Sequence, residues 1–114
     1  MRTGLILSTG HDAAGPVLTL AGDLDHDSTE RFRTVVNAIT LQPGQMLTID
    51  LSGLAFCDSS GITAFIAAHR RTHAHGADLT LSNVPPKTVH VLRILGLDQV
   101  LRIRPVPGTG AEPL

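Results

Sequence analysis

The chain has 114 residues, enough for one domain with a buried core and too few for two. Nine Lys and Arg against ten Asp and Glu leave a formal charge of −1, without the basic excess of a nucleic-acid binder, and with no Trp or Tyr the core must be filled by aliphatic side chains. Cys57 is the only cysteine, which excludes an internal disulfide; no run nears the roughly 20 apolar residues of a membrane span, and Leu5-Ile6-Leu7 is too short for a secretory leader, so a soluble cytoplasmic protein is expected.

Two short strands open the chain, Leu5 to Ser8 and Val17 to Ala21, joined across the turn-forming stretch Gly10 to Pro16, which reads as a hairpin. Gly22-Asp23-Leu24-Asp25 then leads into a helix in which Phe32, Val35, Val36 and Ile39 share one face. Asp27 is placed to cap it, with Glu30 three residues on in the capping-box position. The helix stops before Pro43-Gly44, and Met46 to Leu51 reads as an interior strand. A second helix runs from about Ser60 to His75, with Ile62, Phe65, Ile66 and His69 facing inward and Gly76 ending it. Asp78 to Ser82 is the next strand. Pro85-Pro86 start a third helix that turns Val89, Leu92 and Leu95 inward and stops at Gly96. Val100 to Ile103 is the last strand, and Arg104 to Leu114 reads as a flexible tail. The order ββαβαβαβ, with crossovers long enough for parallel pairing, predicts an α/β fold in which a mixed sheet is flanked mainly on one side by helices.

The segment Asp58-Ser59-Ser60-Gly61 follows a strand and opens the second helix. A helix start offers unpaired N–H groups and partial positive charge, so Asp58 or Ser59 can cap it, and a remaining hydroxyl sits where an added phosphate is tolerated. Gly61 is expected to leave room for a partner's active site. Spacing alone also fits a plain capped helix with a tight turn, and position does not choose between Ser59 and Ser60.

The stretch Leu47 to Gly61, with Asp58-Ser59-Ser60-Gly61 at its end, resembles the signature of the STAS domain family in its anti-sigma factor antagonist branch. Gly22-Asp23-Leu24-Asp25 is similar to the family's second motif, and the match in order and spacing runs from about Val17 to Ile103. The resemblance implies one STAS domain over residues 1–103, with the tail over 104–114. It also implies phosphorylation at Ser60, the second serine of the pair. The partner it implies is an anti-sigma serine kinase of the histidine-kinase-like ATPase group, bound by the unphosphorylated antagonist so that a sigma factor is freed. Phosphorylation by that kinase ends the binding, and a PP2C-type phosphatase reverses it. Asp23, Asp25, Asp58, Ser59, Ser60, Gly61 and Thr63 are the residues expected to meet the partner. Asp23 stands where Glu is common in the family, and Thr63 where many members have Gly. Other roles known for this fold are scaffold subunits of stress-signalling assemblies and soluble components of lipid transporters.

Competing chemistry is weaker. Ser60, Asp58 and His69 are triad residue types, but the Gly-x-Ser-x-Gly elbow is missing and no catalytic residue is assigned. His69 and His73 have helical i, i+4 spacing, yet His75 falls on another face and no metal is assigned. No P-loop is present, so no nucleotide or other cofactor is expected. Cys57 reads as a small buried apolar residue rather than a nucleophile, and Arg70-Arg71 as a solvated outer face. A monomer is expected, from the absence of a long apolar surface stripe.

Overall fold

The computed structural model describes residues 4–107. Strands β1 (Leu5–Asp12) and β2 (Gly15–Leu24) form a long antiparallel hairpin. They are followed by α1 (Thr29–Ala38), β3 (Met46–Cys57), α2 (Ser59–Ala74), β4 (Asp78–Val84), α3 (Pro86–Ile94), a 3₁₀ turn at Leu97–Gln99 and β5 (Arg102–Pro105). The strands lie side by side in chain order, β1-β2-β3-β4-β5, and every pair after the hairpin is parallel. A sheet that always advances in one direction through right-handed crossovers carries its helices on one face. Burial agrees. Leu18, Leu20 and Leu24 of β2, Leu47, Ile49 and Leu51 of β3, and Leu79 and Leu81 of β4 are all buried, while Thr19, Thr48, Asp50 and Ser82 on the alternate positions are only partly covered. Phe32 of α1 meets Phe65 of α2 edge to face, with ring centroids 5.8 Å apart and both rings fully buried. Each such side chain contributes about 1.5–3 kcal/mol by burial.

Several boundaries differ from the sequence reading, each for a local reason. The hairpin turn is only Ala13-Ala14, because the Asp12 carboxylate accepts the N–H groups of Ala14 (2.8 Å) and Gly15 (3.2 Å) and lets both strands run to the tip. The N-cap of α1 is Ser28, not Asp27, and no capping box with Glu30 forms, since the turn is built by Asp25 instead. β3 continues through Ser52-Gly53 to Cys57: its pairing with β4 ends at Asp50–Ser82, but its pairing with β2 runs on to Cys57–Leu24 with two register shifts. Those shifts break the alternation after Leu51, so that Leu54 is buried and Ala55 and Phe56 are exposed. Leu95 lies beyond the last turn of α3 and is 57% exposed rather than inward. Val100 and Leu101 precede β5, which instead includes Arg104 and Pro105, so the expected tail begins as strand; its residues 108–114 lie outside the described residues.

Candidate functional site at the carboxyl ends of two parallel strands

β2 and β3 run parallel and end together at Leu24 and Cys57, so the turn after one and the helix start after the other lie side by side. Loops leaving the carboxyl ends of parallel strands are where ligand sites gather in such sheets. Asp58 ties the two loops together. As N-cap of α2, its Oδ1 accepts the N–H groups of Ser60 (2.9 Å) and Gly61 (3.2 Å), and its Oδ2 accepts the N–H of His26 (3.2 Å). Its own N–H donates to the Leu24 carbonyl at 3.2 Å. One side chain thus satisfies two orphan donors of the helix and fixes the neighbouring turn.

Past the cap, Ser59 is exposed and Ser60 half-buried, and among the described residues no hydrogen bond engages either hydroxyl. Thr63 is exposed one turn on, its Oγ1 donating to the Ser59 carbonyl at 3.0 Å. Gly61 is buried and faces inward: a Cβ there would lie 2.6 Å from Cys57 Sγ and 2.9 Å from the Leu24 carbonyl oxygen. Its missing side chain lets α2 seat against the ends of β2 and β3. It does not clear space for a partner, contrary to the sequence expectation.

Asp23 is half-exposed beside this loop, but Asp25 is buried, with 6% exposure. Asp25 Oδ1 accepts the N–H groups of Asp27 (3.0 Å) and Ser28 (3.2 Å), while the Ser28 hydroxyl accepts the Asp25 N–H (2.9 Å) and donates to the Asp23 carbonyl (2.9 Å). Asp25 therefore shapes the turn rather than offering a contact surface. Cys57 is half-buried, and burial first and the Asp58 carboxylate second push its thiol up to about 12, so it stays protonated and inert at neutral pH.

His69 lies nine residues beyond Ser60, about 13 Å along the helix, too far to act as its base. Burial, and then His73, hold His69 below its ordinary value of 6.5, against the opposing pull of Asp78. Its Nδ1 is buried without a hydrogen-bond partner among the described residues, and its ring lies 4.4 Å from that of His73. No group of three or more His, Cys, Asp or Glu comes together as a metal site among the described residues, and no helix there is long and apolar enough to cross a membrane. Arg71 is not a solvated surface residue: its guanidinium reaches across to α1 and donates to the carbonyls of Val36 (3.2 Å), Asn37 (2.9 Å) and Ile39 (3.1 Å). That role was invisible in sequence because donor and acceptors are more than thirty residues apart.

The family model described as Mlab, STAS domain matches residues 7–104. An anti-sigma F factor antagonist from Lysinibacillus sphaericus is 35% identical over 83 residues, covering 71% of this chain and 70% of the relative. The crystal structure of an anti-sigma factor antagonist from Mycobacterium paratuberculosis is similar with a TM-score of 0.79 at 18% identity, covering 91% of this chain and 88% of that one. The Bacillus cell fate determinant SpoIIAA in its phosphorylated form is similar with a TM-score of 0.64 at 23% identity, covering 86% and 90%. At such identities the two structures speak for the fold. With the family model spanning nearly all of the described residues and a relative at 35% identity, the chain belongs to the STAS domain family, in its anti-sigma factor antagonist branch.

Proposed function

We propose that this chain is a cytoplasmic, non-enzymatic switch that binds an anti-sigma serine kinase of the histidine-kinase-like ATPase fold when unphosphorylated. Binding frees a sigma factor. Phosphorylation of Ser60 by that kinase ends the complex, and a PP2C-type phosphatase restores it. The observation that carries the reading is the Asp58-capped start of α2, which holds two unengaged serine hydroxyls beside the Asp23–Ser28 turn. The 35% identical relative is named an anti-sigma F factor antagonist, and the SpoIIAA fold is known in a phosphorylated form; both support it.

The physics of release follows from the cap. Phosphoserine adds about −1.5 to −2 charge and three acceptor oxygens. Inside the chain that charge sits at the positive end of α2, where it is tolerated and the fold is kept. At an interface the same dianion lies close to the Asp58 carboxylate and must be desolvated, and a 100-fold loss of affinity requires only about 2.7 kcal/mol. The test is a binding titration with the cognate kinase. Ser60→Ala should bind it in ADP and stay bound when ATP is added, whereas Ser60→Asp should bind at least 10-fold more weakly. Equal affinity of wild type and Ser60→Asp would overturn the mechanism. A scaffold or lipid-transporter subunit of the same fold would instead bind its assembly irrespective of ATP.

A further inference from the structure

Beyond the serine loop, the carboxyl end of the sheet carries an apolar groove. It forms where β3 outruns its pairing with β4: residues 53–57 pair with β2 alone, and α3 supplies the facing wall. The groove has a volume of about 400 Å³, and its walls are Phe56 and Cys57 of β3, Ile62 of α2, and Lys87, His90 and Val91 of α3. Phe56 is 50% exposed and Val91 44%, both large side chains at one opening. Cys57 and Ile62 flank the Asp58–Gly61 segment in sequence, so the groove lies next to the serine loop. Charge divides this end of the sheet. The α3 side of the groove bears Lys87, on a helix with no carboxylate, whereas the turn on the other side of the serine loop presents the half-exposed Asp23.

We propose that this groove is the second half of the kinase-binding surface, and that it seats an apolar side chain of the kinase with a carboxylate beside it. The inference rests on the function proposed above and adds where the anchor lies and, through Lys87 at one end and Asp23 at the other, which way round the partner sits. An apolar residue closing over Phe56, Ile62 and Val91 supplies the desolvated centre of the contact, and an acidic neighbour of that residue meets Lys87 at the rim. The opposite end of the kinase surface then faces the Asp23 turn and must be basic. Opposed charges at the two ends fix one docking orientation and place Ser60 between them. A second copy of this chain is a poor occupant, because a symmetric contact through α3 sets basic helix against basic helix.

The experiment uses the whole chain and the purified kinase that phosphorylates it, titrated in ADP at low and high salt, with circular dichroism to verify that each variant is folded. Lys87→Glu and Val91→Glu should each weaken binding at least 10-fold. The Lys87→Glu effect should shrink at high salt and the Val91→Glu effect should persist. Thr40→Glu, beside the separate groove between α1 and the hairpin, should bind like wild type. Wild-type binding with Lys87→Glu and Val91→Glu both within twofold of it would overturn the groove assignment and leave the proposed function standing. A folded wild-type chain that no such kinase binds or phosphorylates would overturn both. Light scattering that shows a wild-type dimer split by Val91→Glu, with kinase affinity unchanged, would assign the groove to self-association and refute the proposal.

Discussion

Replacing Arg71 should destabilise the fold far more than a surface arginine would. The last carbonyls of any helix lack intrahelical donors, and α1 has no basic residue in its own last turn. Arg71 of α2 supplies three donated bonds to that end, at 2.9 to 3.2 Å. A hydrogen bond from a charged group is worth about 1.5–3 kcal/mol, and a cation at a helix C-terminus adds about 0.3–1 kcal/mol. The three bonds share one guanidinium and water reaches the Asn37 carbonyl, so their sum is well below additive. Arg71→Met, which keeps most of the aliphatic stem, should therefore lose about 2 kcal/mol. At a slope of about 1–3 kcal/mol per molar urea, the unfolding midpoint falls by about 1 M. Arg71→Lys should recover only part of this, since an ammonium lacks the planar fork that spans three carbonyls. Hydrogen exchange should show the loss concentrated at the C-terminal turn of α1. A urea midpoint for Arg71→Met within 0.2 M of wild type, on the order of 0.5 kcal/mol, would refute the reasoning.

Three further outcomes are expected. Gly61→Ala should cost about 1–2 kcal/mol despite alanine's better helix propensity, because its Cβ collides with Cys57 Sγ and the Leu24 carbonyl; a urea titration showing stabilisation would contradict this. His69 is held below its ordinary value by burial and His73, so the unfolded chain binds more protons than the folded one in mild acid; stability should fall as pH drops below about 6.5, and His69→Gln should flatten that slope in urea midpoints measured from pH 7.5 to 5. Cys57, its thiol pushed up to about 12, should react with a disulfide reagent at pH 8 far more slowly when folded than in urea, and equal rates would exclude the half-buried, protonated thiol.

The parts of this fold legible in the sequence were those set by short-range pattern. Phe32 and Val36, or Ile62 and Phe65, declare a helix face by spacing alone, and both pairs are buried. Asp58 announced a cap and Gly76 a helix end; Gly76 has the positive φ of 73° that a C′ glycine adopts. What stayed hidden depended on partners distant in sequence. The strand continues past Ser52-Gly53 because β2 still lies alongside, with Ala21 packed so close to Gly53 that a Cβ there would meet it at 3.0 Å. Asp25 and Gly61 belong to motifs that the family resemblance makes partner-facing, yet one is enclosed by its own turn and the other by β2 and β3, an orientation that composition does not encode. The choice of Ser60 over Ser59 came from family resemblance, since both hydroxyls stand unengaged at the same helix start.

The central claim is that Ser60 is the residue whose modification switches the chain, and the most direct measurement is site-resolved mass spectrometry after incubation with the cognate kinase and ATP. The account expects one phosphate per chain, on Ser60, with none on Ser60→Ala and with Ser59→Ala still modified. A phosphate on Ser59 alone, or on neither serine while the kinase binds and hydrolyses ATP normally, would contradict it.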